Sequence, residues 1–354
     1  MSVQLDCVAL SLLPILWWRD IAAALRAGRE PAAIFEQLVA ERWPHAPHKR
    51  AEIASRARAA LEHAGNRGLN LIIWGDVTYP PSLAAIIDPP PALWTRGSLA
   101  ALDAPAVAIV GSRAASAYAL DVANRLAADL AARGVVITSG LARGVDSAAH
   151  RGAVSVGGST IAVLGCGADI IYPPEHTGLA TEIETSGLVM SELAPGTPPL
   201  PQFFPQRNRI ISGLSLAVVI VEAGERSGSL ITARCALEQG RDVLAVPGNV
   251  LGGRNRGGHA LLRDGAKIVE GADDIFEELG IRVLPRAGEG SALVPLSGPS
   301  DDPVLACLIP GEASDFDEIA ERSGLQAARL LPRLLELELL GRIRRAGGGR
   351  FVRV

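Results

Sequence analysis

Arginines, aromatic rings and an amide occur together in the stretch FFPQRNRIISGLS. Two phenylalanines and a proline come directly before Arg207, Asn208 and Arg209. A guanidinium binds phosphate oxygens in a fixed fork geometry, and a flat ring stacks on a nucleobase. The stretch therefore predicts contact with phosphate through Arg207 and Arg209 and with a base through Phe203 or Phe204, while the other phenylalanine packs in the core. We expect Asn208 to fix the loop or contact a backbone.

Three further stretches share another pattern, in which an apolar run ends in glycine, serine or arginine before a helix. They are IVGSRAAS, with Gly111, Ser112, Arg113 and Ser116; ITSGLARGVDS, with Arg143 and Gly144; and VEAGERSGSLIT, with Ser227, Gly228 and Ser229. Backbone N–H groups and the helix dipole favour an anion at a helix N-terminus. Each stretch alone also fits an ordinary capped turn, but all four together predict a shared phosphate-binding groove.

Several other polar residues leave alternatives open. Asp146 and His150 are four residues apart on one predicted helix, either as an acid/base or metal pair or as a pair that packs against a sheet. Glu222 is a buried acid or the partner of an arginine, and IIYPPEH, residues 170–176, is a lid or a proline turn. The sequence has no GxxxxGK[ST] motif, which excludes a P-loop ATPase. We predict neither a metal nor a cofactor.

The elements that would position these residues follow from the hydrophobic pattern of residues 106–248. Six unbroken apolar runs, AVAIVG, VVITSG, TIAVLGCG, LVMSEL, LAVVIVEAG and DVLAVPG, alternate with helical segments. One of these predicted helices is NRIISGL, residues 208–214. Strands that are buried on both faces have unbroken apolar runs, and intervening helices make them parallel. The pattern predicts an α/β fold with a doubly wound, mostly parallel sheet, whose ligands bind beyond the carboxyl ends of the strands.

Four regions are predicted along the 354 residues. Residues 1–75 contain amphipathic helical runs and form a small helical domain, and residues 76–285 form the α/β domain. The proline-rich segment 76–98 within it is a linker or an ordered lead-in. Residues 286–302 are rich in Gly, Pro and Ser and form a linker. Residues 303–354 have the helix–turn–helix and hairpin pattern of a winged helix.

Composition limits the classes of function. Hydrophobic residues make up 48% of the chain and charged residues 20%, which is typical of a globular protein. The net charge is −4, so a polyanion would need a local basic patch. The four cysteines have no disulfide or metal-ligand spacing, which indicates a reducing compartment. The apolar start, residues 1–20, has no basic region, so we interpret it as a core helix rather than a signal peptide. No run is long enough to span a membrane, so we predict a cytoplasmic protein without membrane contact.

The sequence resembles the DNA processing protein family, DprA/Smf, densely over residues 75–275. The motifs that carry the resemblance are IVGSRAASAY, ITSGLARGVDSAAHRGAV, TIAVLGCGADIIYPPEH, MSELAPGTPP, FPQRNRIISGLS, VEAGERSGSLITARCALEQGRDVLAVPG and LLRDGAK. The resemblance implies an extended Rossmann-like DNA-binding domain with a SAM-like helical domain before it and a winged helix after it. It also implies a non-enzymatic protein that binds single-stranded DNA without sequence preference. Such a protein protects incoming DNA and loads the RecA recombinase in natural transformation, as a homodimer paired through the Rossmann-like domain.

The family's phosphate and base contacts correspond here to Gly111, Ser112, Arg113, Phe204, Arg207 and Asn208, and Arg143 joins them by position. Pro201 stands where many members have a lysine, which removes a charge from the groove. The second helix of the winged-helix region has few basic residues on any one face, so we expect protein contact there rather than major-groove reading. The alternatives are a nucleotide hydrolase of the phosphoribohydrolase type and a winged-helix transcription factor.

Overall fold

The structure is a computed structural model. It describes residues 2–280, 302–309, 312–339, 342–346 and 349–353. The chain forms two compact units: residues 1–113 with 123–281, and residues 114–122 with 282–354. The predicted linker at 286–302 lies outside the described residues except for Asp302.

Helices and strands alternate over residues 2–280 after a helical start. The helices are α1 (Val3–Ser11), α2 (Trp18–Arg26), α3 (Pro31–Arg42), α4 (His48–Asn66), α5 (Pro81–Ala84), α6 (Ala117–Ala132), α7 (Val145–Ser155), α8 (Thr177–Ser186), α9 (Phe203–Leu214), α10 (Ser229–Glu238), α11 (Arg256–Arg263) and α12 (Ala272–Leu279). The strands are β1 (Asn70–Ile73), β2 (Ala92–Gly97), β3 (Ala106–Val110), β4 (Val136–Ser139), β5 (Thr160–Val163), β6 (Leu188–Ser191), β7 (Ala217–Ile220), β8 (Asp242–Ala245) and β9 (Lys267–Ile268).

The nine strands form one sheet in the order β1-β2-β6-β5-β4-β3-β7-β8-β9. Neighbours from β6 to β9 pair in parallel, whereas β2 pairs antiparallel with both β6 and β1. The six apolar runs correspond to β3–β8, and the predicted doubly wound, mostly parallel α/β fold is confirmed. The strand order reverses between β3 and β7, and ligands of such sheets bind beyond the carboxyl ends at this point.

The proline-rich segment 76–98 is the ordered lead-in of the two alternatives. It forms α5 and β2, and β2 pairs along β6 with Trp94 opposite Ser191. Leu93 and Trp94 are fully buried. The prolines come before β2 rather than within it, so they leave the hydrogen bonds of the strand intact.

The helical start is a pair of helices rather than the single core helix that its apolar run indicated. Pro14 begins a short 3-10 turn, Ile15–Trp17, between α1 and α2. No single helix among the described residues is long and apolar enough to cross a membrane; Val3–Ser11 and Ile15–Arg26 meet that criterion only as a pair, which is bent by 114°. Side chains of these helices share one apolar cluster with Trp94 of β2.

The C-terminal unit has the predicted winged-helix architecture. Its elements are α13 (Pro303–Cys307), β10 (Ala313–Ser314), α14 (Phe316–Ser323), α15 (Ala327–Leu339), β11 (Ile343–Ala346) and β12 (Arg350–Arg353). The strands form an antiparallel sheet in the order β10-β12-β11. Gly324 ends α14 in the left-handed conformation, with a φ of 69°, at the turn that the sequence indicated. The apolar core of the winged helix includes Leu305, Ile319, Leu334 and Phe351.

Candidate functional site

Glycines bring the exits of β3, β4 and β7 close together at the carboxyl edge of the sheet. The Ser112 N–H donates to the carbonyl of Glu222, beyond β7, at 2.7 Å. A Cβ atom on Gly111 would lie 2.9 Å from that same carbonyl oxygen, and one on Gly144 would lie 2.2 Å from Ser112 O. Gly144 also has a φ of 80°, which a side chain disfavours. These positions therefore require glycine.

Arg113 and Phe204 meet at this edge. Arg113 is exposed, and its guanidinium carbon lies 5.2 Å from the centre of the half-buried Phe204 ring. The ring belongs to the first turn of α9 and rests on Gly165 beyond β5, where an added Cβ would lie 2.8 Å from Phe204 Cδ1. The structure thus brings together the arginine and the ring that the sequence assigned to phosphate and base.

Arg143 is the second exposed cation of this edge. Its Nε lies 2.5 Å from Oε1 of Glu175, and about half of each side chain is exposed. The hydrogen bond and the charge of Glu175 raise the pKa of Arg143, and the same hydrogen bond lowers the pKa of Glu175. Both groups are therefore charged at neutral pH. An ion pair in water is easily exchanged, so another anion can replace Glu175.

Arg207 lies inside the protein, although the sequence assigned it to phosphate. It is 4% exposed, and its guanidinium donates to the carbonyl of Val163 at the end of β5. A Cβ on Gly140 would lie 2.1 Å from Arg207 Nη1, so this glycine leaves room for the guanidinium. Burial lowers the pKa of Arg207 to about 10, against the opposing effect of the Asp146 carboxylate. The charged side chain of Arg207 therefore stabilises the end of β5 from inside the protein.

Arg209 also points away from the carboxyl edge. Its Nη1 and Nη2 donate to Oε1 and Oε2 of Glu192 at 2.8 and 2.7 Å, and its Nε lies 3.2 Å from Asp88 Oδ2. The guanidinium carbon lies 4.8 Å from the ring centre of Trp18 on α2. Burial by itself would lower the pKa of Arg209, but Glu192 and Asp88 raise it above its ordinary value. Its partners lie in the interior, so Arg209 offers no charge at the edge in this structure.

Asn208 fixes the loop beyond β7, one of the two roles expected for it. Its Nδ2 donates to the carbonyl of Gly228 at 3.2 Å. In the same loop, the hydroxyls of Ser227 and Ser229 lie 2.8 Å apart. Ser229 is buried, whereas Gly228 is exposed. The side chain of Asn208 and the two serines therefore hold this loop in place before α10.

Three of the backbone N–H groups at the strand exits bind other groups of the protein. The N–H of Ser112 binds Glu222 O, that of Gly140 binds Asp146 Oδ2 at 3.1 Å, and that of Val145 binds Ser112 O at 3.2 Å. Ser116 caps α6 by accepting the N–H of Ala119 at 3.2 Å. Close strand packing uses these three donors, so they are not directed at an anion in this structure.

Asp146 and His150 brace the loop that follows β4, as the packing alternative states. His150 Nε2 accepts the N–H of Leu141 at 3.3 Å, and its Nδ1 lies 2.7 Å from Thr160 Oγ1. The Thr160 hydroxyl donates to Ile137 O, so it accepts from Nδ1 and the ring is neutral with its proton on Nδ1. Burial also favours the neutral ring, since it lowers the pKa of His150 to about 3.

The bracing holds Leu141 in an uncommon backbone conformation. Leu141 is fully buried and has a φ of 56°, and its carbonyl lies 2.8 Å from His176 Nδ1. Among the described residues, no group of three or more His, Cys, Asp or Glu side chains is placed to hold a metal ion. His150 and Asp146 thus position the loop that carries Arg143.

Sequence reasoning left Tyr172 out of the site. Its ring centre lies 5.7 Å from that of Phe204, with 47° between the ring planes. It stands in the IIYPPEH segment, which follows β5 at the same edge of the sheet. An aromatic residue just beyond a strand end was the available signal, but the flanking prolines indicated a turn or a lid instead.

Two family models match the chain. The model of DNA recombination-mediator protein A matches residues 70–280, and that of the DprA winged helix domain matches residues 292–349. Protein Smf of Escherichia coli (strain K12) is 46% identical over 283 residues, which is 78% of this chain and 75% of that protein. DNA processing protein DprA of Streptococcus pneumoniae is 46% identical over 203 residues, which is 57% of this chain and 72% of that protein.

Solved structures show the same similarity. DNA processing protein A from Streptococcus pneumoniae superposes with a TM-score of 0.62 at 36% identity, over 79% of this chain and 94% of that one. The protein from Helicobacter pylori, whose structure concerns a unique single-stranded DNA binding mode, superposes with a TM-score of 0.54 at 31% identity. That comparison covers 60% of this chain and 95% of the Helicobacter pylori chain.

Proposed function

Because the chain belongs to the DNA recombination-mediator protein A family, we propose that it binds single-stranded DNA without sequence preference and without catalysing a reaction. The observation that carries this proposal is the contact between exposed Arg113 and the ring of Phe204 at the carboxyl edge of the sheet. A cation beside an aromatic ring serves a phosphate and a base at once. Neither contact depends on which base is present.

The groove has exposed and supporting parts. Arg113 and Arg143 offer their guanidinium groups to phosphates, and Phe204 offers its ring to a base. Gly111, Ser112, Gly144 and the loop Ser227–Ser229 shape the strand exits beneath the bound strand. Arg207 and Asn208 hold the edge from inside, since their polar groups bind the carbonyls of Val163 and Gly228. Affinity for DNA therefore depends on the side chains of Arg113, Arg143 and Phe204, and the other residues of the groove keep the strand exits in position.

The wider role follows the family. We propose that the protein protects incoming DNA, that it hands the bound strand to the RecA recombinase during natural transformation, and that it works in the cytoplasm. Pairing of two copies through the Rossmann-like domain belongs to the same proposal. The resemblance of the sequence motifs supports these partners.

Binding of a labelled oligothymidylate at two salt concentrations tests the proposed function. We expect affinity to fall as salt rises, because bound arginines displace counterions from phosphates. Arg113→Ala should weaken binding about tenfold and reduce the slope of log affinity against log salt by about 0.7. Arg133 offers a matched control, since it lies just before β4 at the opposite edge of the parallel strands.

Arg133→Ala should leave binding unchanged. Affinity that is insensitive to salt, or that survives Arg113→Ala, would contradict the proposal. Incubation with nucleoside monophosphates checks for the hydrolase alternative, which predicts released base. No observation favours that alternative, because the candidate acid/base pair, Asp146 and His150, is committed to backbone hydrogen bonds.

A further inference from the structure

The ring of Tyr172 is partly exposed beside the ring of Phe204. Its ring is half-buried and rests on an apolar cluster that includes Leu141, Leu164 and Leu179. The ring lies beside Phe204, which is half-buried as well. Two partly exposed aromatic rings therefore stand side by side at the carboxyl edge of the sheet.

The two rings have a cation on either side. Arg113 lies over the Phe204 ring, and Arg143 lies near Tyr172, since Glu175 first and Tyr172 to a lesser degree raise the pKa of Arg143. The order along the edge is therefore cation, ring, ring, cation. Two neighbouring nucleotides of a DNA strand have one phosphate between them and one on either side, so the two outer phosphates match the two cations when the bases are unstacked from one another.

We propose that Tyr172 is a second stacking surface for a base, next to Phe204. The inference rests on the proposed function and deepens it, because it makes a pair of adjacent nucleotides the unit that the groove binds. The ring centres are 5.7 Å apart and the planes differ by 47°, so the two rings engage two bases rather than one. Both contacts are indifferent to base identity, because every base has an aromatic face.

The competing explanation is that Tyr172 only supports its neighbours. In that case its ring would hold Phe204 and its hydroxyl would hold Arg143, with no base on it. Tyr172→Phe removes the hydroxyl and keeps the ring, whereas Tyr172→Leu keeps apolar volume and removes the ring. Tyr172→Phe isolates support of Arg143 by the hydroxyl. Tyr172→Leu in a Phe204→Leu background separates stacking on Tyr172 from support of Phe204, because a further loss that is selective for a strand with bases can then come only from Tyr172.

The experiment compares labelled oligothymidylate with an abasic strand of the same length and charge. We expect Tyr172→Leu to weaken binding of oligothymidylate by about fivefold to a hundredfold. Binding of the abasic strand should change by less than about twofold, because phosphate contacts remain. Tyr172→Phe should bind both strands as the unsubstituted protein does. Equal losses on both strands, or no loss on either, would overturn the inference.

A second variant covers the case in which Tyr172→Leu does not fold. Tyr172→Trp keeps an aromatic surface, and its added indole emission should be quenched by oligothymidylate but not by the abasic strand. Unquenched emission in a protein that binds DNA would also overturn the inference. Failure of the proposed function has a different signature, since the unsubstituted protein would then show no salt-dependent binding of oligothymidylate.

Discussion

Arginines of this protein differ sharply in what surrounds them. Arg113 and Arg143 are exposed, whereas Arg207 and Arg209 are 4% and 7% exposed and bind groups of the protein. A buried guanidinium that has given its donors to a carbonyl or a carboxylate is not available to a phosphate. We therefore expect affinity for DNA to depend on the exposed pair and stability to depend on the buried pair.

Glu175 competes with phosphate for Arg143, and removing its charge should strengthen DNA binding. The pKa of Glu175 is lowered by its hydrogen bond to Arg143, so the carboxylate is charged at neutral pH and the competition is present there. We expect Glu175→Gln to raise the affinity for oligothymidylate by about two- to fivefold, the small effect typical of an exposed pair. Binding titrations at low salt measure it best.

Glu182 provides the matched control for this change. It is exposed on α8, the helix that follows the Glu175 segment, and Glu182→Gln removes the same charge. That variant should bind as the unsubstituted protein does. If both substitutions raise affinity equally, general repulsion explains the gain; if Glu175→Gln has no effect, Arg143 does not contact phosphate.

At the scale of elements, the pattern of apolar runs predicts which edge of the sheet carries the site. The residue at which α9 begins determines where Arg207 lies. The runs identified β3–β8, so the edge that gathers Gly111, Gly140 and Gly165 was predictable. We expected a helix to begin at Asn208, but α9 begins at Phe203. Five more residues in helical conformation place Arg207 against the end of β5 instead of in a solvated loop.

Short edge strands were harder to predict. β1 and β2 pair antiparallel at one edge, and β9 has only two residues, Lys267–Ile268, both exposed. A run of that length carries no periodic signal, because periodicity needs several residues to be visible. The environment of Arg209 was equally hidden, since Trp18 and Glu192 come from distant parts of the sequence.

Gly144→Ala should damage the junction of β3 and α7 and weaken DNA binding. Gly144 has a φ of 80° and a ψ of −128°, a backbone conformation that glycine adopts far more readily than alanine, and the new methyl would also meet Ser112 O at 2.2 Å. The carbonyl must move, and it belongs to the residue before Arg113. We expect both the backbone strain and the contact with Ser112 O to lower the free energy of unfolding, which denaturant unfolding measures. We also expect weaker binding of oligothymidylate.

Gly134 provides a control for a positive φ without a steric contact. Its φ is 83°, close to that of Gly144, but an added Cβ would meet nothing within 4 Å. Gly134→Ala should therefore cost only about 1–2 kcal/mol and leave DNA binding unchanged. Equal stability losses at the two positions would show that the contact with Ser112 is unimportant.

At the scale of the whole molecule, the N-terminal helices are part of the larger unit rather than an appendage. The chain from Met1 to Arg113 belongs to the same compact unit as the sheet, and Trp17, Phe35 and Trp94 lie in one apolar cluster. Arg209 adds a polar connection, since it binds Glu192 after β6 and lies over Trp18 of α2. The winged helix has its own apolar core and belongs to the second compact unit.

Arg209→Met should destabilise this larger unit by about 3–5 kcal/mol, because it leaves the carboxylate of Glu192 buried without its cation. Burial already raises the pKa of Glu192 against the effect of Arg209, so the carboxylate would take up a proton at a cost to folding. The double variant Arg209→Met with Glu192→Leu should recover most of the loss, since an apolar pair of similar volume needs no charge compensation. Denaturant unfolding of both variants measures the difference, and oligothymidylate binding is measured below the unfolding transition. We expect DNA binding to be unchanged, because Arg209 faces the interior. If Arg209→Met keeps its stability but loses DNA binding, Arg209 contacts DNA in the groove.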